Sequence, residues 1–229
     1  MDPAIFVRRN TAITAPPLVP EIRLHLATEI TPIWQASEET LARSGLPPPF
    51  WAFAWPGGQA LARYLLDHPA EVSGRTVLDL GSGSGLAAIT AALAGAARVV
   101  ASEVDPMAVA AIRLNAAANG AAVTVVGDVL DGDGDGADMV LAADIWYERR
   151  LAEAVLGLVR RASARGAKVL AADVGRAFLP SAHLRELAAY QVPVVAELED
   201  AAVKRAMVYE LTKQTGPSGD FARVPGDDQ

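Results

Sequence analysis

From residue 75 onward, short unbroken apolar runs alternate with longer stretches of helical period. TVLDL (76–80), RVVAS (98–102), VTVV (123–126), MVLAA (139–143) and KVLAA (168–172) read as buried parallel strands. Residues 85–94, 106–119 and 149–161 carry helical periodicity between them. Strands alternating with helices predict an α/β fold with a doubly wound, mostly parallel sheet. VPVVAELE (192–199) and KRAMVYELT (204–212) are strand-like with a short connection, which predicts an antiparallel closing pair. Upstream, residues 1–19 read as irregular, with Pro16, Pro17 and Pro20 as breakers. IRLHLATEITPIW (22–34) alternates partly like a strand. SEETLARSG predicts a short helix between Ser37 as N-cap and Gly45 as stop, and a further helix runs from about Gln59 to Pro69. The division that follows is an N-terminal extension and lid over 1–58, one core domain over 59–214, and a disordered tail over 215–229.

Composition narrows the chemistry. The 229 residues contain no Cys, which excludes disulfides, thiolate metal sites and cysteine nucleophiles and suits a reducing compartment. The net charge of −7 carries no basic stripe for nucleic acid. No signal peptide is expected, and the alanine-rich run Leu86 to Ala97 is too short for a membrane span. A cytoplasmic monomer with no nucleic-acid or membrane partner is the expectation. Asp131 to Gly136 matches the first six positions of a calcium loop, but Ala142 stands where a bidentate Glu is needed, so no metal is expected. His25, His68 and His183 share no ligand spacing.

The strongest chemical signal is Val77-Leu78-Asp79-Leu80-Gly81-Ser82-Gly83-Ser84-Gly85. A buried strand enters three glycines on alternate positions and then a helix, which lets backbone amides approach a ligand closely. Position 86 is Leu, so the dinucleotide GxGxxG fingerprint is not met, and no Gly-Lys-Ser/Thr marks a P-loop. A dehydrogenase ranks last accordingly. The next strand ends in Ser102-Glu103-Val104-Asp105-Pro106, which places Glu103 where an acid can hold both ribose hydroxyls.

These features resemble class I S-adenosylmethionine-dependent methyltransferases, whose sheet has seven strands with the last antiparallel. The resemblance implies that Asp79, Gly81, Gly83 and Gly85 line the cofactor and Glu103 holds its ribose. Asp128, in VVGDVL after the third strand, would face the adenine amino group.

At the end of the fourth strand the chain reads Ala142-Ala143-Asp144-Ile145-Trp146-Tyr147-Glu148. The Asn/Asp-Pro-Pro-Tyr of base and glutamine methyltransferases is absent. An Asp followed one residue later by two aromatics resembles a group of protein lysine methyltransferases. PFWAFAWPGGQALARYLLD, the glycine loop, SEVDP and ADIWYE together resemble the electron transfer flavoprotein beta-subunit lysine methyltransferases and their bacterial relatives, over roughly residues 20 to 212. The resemblance implies an electron transfer flavoprotein beta subunit as protein substrate, cofactor contacts from Trp55, Gly58 and Ala143, and catalytic roles for Asp144, Trp146 and Tyr147. Asp144 would orient the amine while Trp146 and Tyr147 wall its channel. In the segment Phe50 to Trp55, an extended chain would put Trp51, Phe53 and Trp55 on one face over the cleft, with Phe50 packed and Trp51 and Phe53 walling the site or packing beside it. Another methyl acceptor, a ribosomal protein lysine or a small molecule, or a cofactor-binding module without catalysis, are the alternatives.

Overall fold

The computed structural model describes residues 2–27, 48–134, 136–194 and 202–212. The helix expected over 37–45, the second half of IRLHLATEITPIW and the tail from 215 lie outside them.

The opening segment, read from sequence as irregular, is ordered. Asp2 caps helix α1 (Pro3–Asn10), its carboxylate accepting the Ala4 amide at 2.8 Å, and Pro3 takes the first turn. Strands β1 (Ala12–Thr14) and β2 (Leu24–Leu26) then pair antiparallel. The signal was Asp-Pro at the chain start, masked by the downstream prolines.

Helix α2 spans Pro56–Asp67, three residues earlier than expected, because Pro56 fits a first helical turn that needs no N–H. The main body follows as β3 (Thr76–Leu80), α3 (Leu86–Leu93), β4 (Arg98–Ser102), α4 (Pro106–Ala118), β5 (Thr124–Val126), β6 (Met139–Ala143), α5 (Arg149–Ala164), β7 (Lys168–Asp173), β8 (Leu184–Pro193) and β9 (Val203–Leu211). The seven-stranded sheet has the order β5-β4-β3-β6-β7-β9-β8, with only the β9 pairings antiparallel. Strand β8 starts eight residues before its expected place. As an edge strand with exposed and half-exposed positions and a bulge near Leu187, it lacks the apolar run that marks the central strands.

Alternate residues of each central strand feed opposite cores. Leu141 and Val77 pack under Leu61, Ala88 and Ile112, so α2, α3 and α4 cover one face. Val140 and Leu78 pack against Val155, Leu158 and Val159 of α5 on the other. Covering both faces buries every central strand, which is why they read as unbroken apolar runs. No helix replaces the acidic connection between β5 and β6. Instead Arg161 donates to the Gly132 and Leu130 carbonyls at 2.8 and 2.6 Å, and Arg165 pairs with Asp133 at 3.0 Å, strapping it to α5. Among the described residues no helix is long and apolar enough to cross a membrane.

Trp146 sits elsewhere than expected, and Trp51 takes the packed one of its two expected places, though in a different backbone. Trp146 does not wall a channel: it is 1% exposed and lies in the α5 core with Ile145, Ala152 and Val155. Trp51 is 2% exposed and packs with Val7, Ala108 and Ala111, because residues Phe50–Ala52 form a 3₁₀ turn and not an extended strand. The Trp146 Nε1 has no hydrogen-bond partner among the described residues. Trp146→Ala should therefore cost about 3–5 kcal/mol in urea unfolding, as for large aromatic truncations in cores. Trp146→Phe, which removes the unpartnered N–H, should cost less than half of that and leave turnover intact. Loss of turnover in a stable Trp146→Phe protein would return the ring to the channel.

Candidate active site

The order of strands reverses beside β3, so the crevice of this sheet opens at the carboxyl ends of β3 and β6. Gly81, Gly83 and Gly85 follow β3 at φ 57, 55 and 83, a backbone that a β-carbon disfavours. A Cβ on Gly81 would also stand 2.7 Å from Ile145 Cδ1, so the loops after β3 and β6 are in contact. At Gly83 a Cβ would meet the Gly81 oxygen and Trp51 Cα only at ordinary contact distances of 3.9 and 4.0 Å, so this part of the loop is less crowded.

Asp79 anchors the loop from below. Its Oδ2 accepts the Ser82 hydroxyl at 2.5 Å and the Ala88 amide of α3 at 3.2 Å. Burial pushes its carboxyl up to about 7, with the Glu103 charge adding and both hydrogen bonds opposing. Glu103 closes the far side: Oε2 accepts the Gly83 amide at 2.9 Å, and Oε1 accepts the Val104 and Asp105 amides at 2.8 and 3.0 Å. Asn115, buried in α4, supports the loop by donating to the Ser84 carbonyl at 2.8 Å. Asp128 is exposed and its Oδ1 accepts the Leu130 amide at 2.9 Å, closing its own turn.

After the neighbouring strand β6 comes Asp144, in left-handed backbone at φ 56, with its amide on the Ala172 carbonyl at 3.0 Å. Its Oδ2 accepts the Gly58 amide at 2.6 Å. Trp55, the N-cap of α2, makes no side-chain cap bond. The free amides at the start of α2 are thus met by a carboxylate from another strand, which also suits the helix dipole. Gly57 makes room: a Cβ there would lie 2.6 Å from the Ala172 oxygen and 2.7 Å from Asp144 Oδ2. Gln59 completes the block by donating to the Ala54 carbonyl at 2.7 Å and accepting the Leu18 amide at 3.2 Å. Each residue of Trp-Pro-Gly-Gly-Gln therefore has its own fixed duty.

Sequence reading missed the other partner of Asp144. Arg176 Nη1 lies 2.5 Å from Asp144 Oδ1 and 2.9 Å from Asp173 Oδ2. Burial pushes Asp144 up to about 6, Arg176 and the Gly58 amide pull it down, and Asp173 adds to the rise. Burial works against the charge of Arg176, yet the two carboxylates outweigh it and raise its pKa. The only sequence cue was an acid closing β7, in AADVGR.

Aromatic rings border the cleft. Phe50 lies 5.6 Å from Tyr147 and 6.0 Å from Trp55, and Phe53 lies 5.9 Å from Trp55. Trp55 is half-buried, its Nε1 donating to the Phe50 carbonyl at 2.8 Å. Tyr147 is 50% exposed, and its pKa is raised by burial and then by the charges of Glu103 and Glu148, with Arg176 opposing. It therefore sits within electrostatic reach of both sides of the cleft. Ala143 is half-buried at the end of β6. Among the described residues no group of His, Asp and Glu could hold a metal.

Two outcomes follow. Folded Asp79 titrates near 7, well above its ordinary value, so the folded chain holds more protons between about pH 4 and 7 and stability falls as pH rises across that window. Asp79→Asn should flatten that fall in urea midpoints measured against pH, and an unaltered slope would exclude it. Gly57→Ala should cost about 1–3 kcal/mol by overpacking and weaken the Asp144 cap. A melting temperature equal to wild type would show that the contact relaxes freely.

Comparison with known proteins agrees with this geometry. The family model described as ribosomal protein L11 methyltransferase (PrmA) matches residues 60–167. The Danio rerio electron transfer flavoprotein beta subunit lysine methyltransferase is 39% identical over 196 residues, covering 82% of this chain and 75% of that protein. The Mus musculus protein of the same name is 34% identical over 221 residues, covering 92% and 86%. A Pyrococcus horikoshii structure described as a candidate RNA methyltransferase shares the fold with a TM-score of 0.54 at 21% identity, over 80% of this chain and 98% of its own. The chain belongs to the electron transfer flavoprotein beta subunit lysine methyltransferase family, built on the class I fold and dependent on S-adenosylmethionine.

Proposed function

We propose that this protein-lysine methyltransferase acts on a lysine of an electron transfer flavoprotein beta subunit, the substrate named for its relatives. The observation that carries the reading is the enclosed Asp144 carboxylate after β6, beside the strand that leads into the glycine loop, with the exposed Tyr147 ring three residues on. A cysteine-free, acidic chain suits a cytoplasmic monomer meeting a protein surface.

The residues present fit the cofactor. The glycine loop is less crowded at Gly83, Asp79 fixes it from beneath, and Glu103 brings a carboxylate to its rim. Gly81, Gly83, Gly85 and Glu103 would hold S-adenosylmethionine, with Asp128 toward its adenine and Trp55 and Ala143 beside it. Gly58 serves through its amide on Asp144. When bound, the cofactor supplies an electrophilic sulphonium methyl group.

The chain's own residues must deliver a neutral amine to it. A lysine of pKa about 10.4 is almost wholly protonated at neutral pH, and desolvation in the cleft favours the uncharged form. Asp144 accepts a hydrogen bond from the amine and aims its lone pair. The exposed Tyr147 ring, with Phe50 behind it, attracts the ammonium on approach through its π face. Positioning supplies most of the rate, and the rings keep water from the reacting nitrogen. The ribosomal protein L11 family match covers only residues 60–167, the cofactor-binding part, and does not favour that acceptor.

Purified enzyme with labelled cofactor should label the electron transfer flavoprotein beta subunit, and acid hydrolysis should return methyl-lysine. No label on that subunit, with label on another protein of the same extract, would replace the substrate. Asp144→Asn can keep an oxygen on the Gly58 amide while losing the charge. It should lower kcat about 100-fold or more, with cofactor affinity by calorimetry changed only a few-fold. Unchanged kcat would remove Asp144 from the chemistry.

A further inference from the structure

Two carboxylates share one guanidinium where β6 and β7 end. The Asp173 side chain is fully enclosed and accepts the Gly175 and Arg176 amides at 2.7 and 2.6 Å as well as Arg176 Nη1 at 2.9 Å. It is a fixed anchor beneath the arginine. Asp144, by contrast, is 9% exposed and Arg176 is 20% exposed, so this pair reaches the cleft surface. With all three ionised, the cluster is one positive charge short of neutral. A cationic side chain entering the cleft supplies that charge.

We propose that Arg176 is a positioning residue for the methyl acceptor: it holds Asp144 Oδ1 before the lysine arrives, then stands beside the amine at that carboxylate and disfavours its ammonium form. The inference rests on the lysine reading given above. Two cations at one carboxylate repel each other, so Arg176 offsets part of the pull that Asp144 and Asp173 exert on an ammonium and eases the loss of its proton. The guanidinium cannot relieve the repulsion, because it keeps its proton at any relevant pH. The lysine can, by releasing one proton to water and keeping its lone pair for attack. Asp173 prevents Arg176 from swinging out instead. Among the described residues, the groups acting on Asp144 are the Gly58 amide from α2 and Asp173 and Arg176 from the end of β7, while Arg176 also acts on Tyr147, which feels Glu103 and Glu148.

Removing Arg176 raises both titrations that matter. The acceptor amine loses a neighbouring cation, and Asp144, which must be ionised to hold the amine, loses its nearest one. Both changes move activity to higher pH. Wild type, Arg176→Gln and Arg176→Lys are compared as kcat against pH on the electron transfer flavoprotein beta subunit with saturating cofactor, beside melting temperatures. Arg176→Gln should displace the rising limb upward by about one pH unit, a roughly tenfold loss at pH 7 that is regained at higher pH, without raising KM. Arg176→Lys should restore the profile only in part, because an ammonium at 176 can itself release a proton. A fall in kcat with the profile unmoved, or a loss of melting temperature alone, overturns the proposal. If wild type leaves that subunit unlabelled, the substrate assignment fails, and the same displacement is read on whichever extract protein is labelled. No label on any protein from folded, cofactor-binding enzyme overturns both.

Discussion

The carboxylate of Asp144 holds three elements to one point. It ends β6, caps the start of α2 through Gly58 and receives Arg176 from beyond β7. Burying a charge this way is costly unless its lone pairs are met, and here each oxygen has a donor. The left-handed backbone at Asp144 costs about 1–2 kcal/mol for an ordinary residue, less for Asp, and is held by its amide on Ala172. Gly57 is the geometric condition for the whole arrangement, since any β-carbon there would occupy the space that the carboxylate and the Ala172 oxygen already fill.

Two buried acids therefore divide the work at the mouth of the sheet. Asp79 and Asp144 end adjacent strands, and burial raises both. Asp79 spends its hydrogen bonds inward on Ser82 and Ala88, so it sets the shape of the glycine loop. Asp144 is paired with a guanidinium that is itself shared, so its oxygen can be contested by another cation. The first acid is fitted to holding a backbone, the second to meeting an incoming amine.

Much of this was legible in the sequence because strong local patterns carried it. Buried parallel strands read as apolar runs, and three alternate glycines after Asp79 announce a ligand loop. The antiparallel pair was placed in part: β9 has a clear run, whereas edge strand β8 does not. Side-chain direction after a turn was not legible. The family resemblance implies that Trp146 and Tyr147 share a wall, but after the left-handed residue at 144 Ile145 and Trp146 lie in the core and Tyr147 emerges. The 3₁₀ turn at 50–52 likewise sends Trp51 away from Trp55. Arg176 was invisible for another reason: its partner lies 32 residues away, and no periodicity records an ion pair between loop ends.

The generic and the particular parts of the enzyme can be separated by the same reasoning. The methyltransferase family match begins at residue 60, just after Pro56 to Gln59, whereas the Danio rerio and Mus musculus lysine methyltransferases match over 196 and 221 residues. Glycine loop, Asp79 and Glu103 fall inside the generic match and handle what class I enzymes share. The segment that caps Asp144, and the turn that brings Arg176, fall outside it. Asp144 thus falls inside the generic match, while the Gly58 amide and the Arg176 guanidinium that hold its two oxygens fall beyond its two ends.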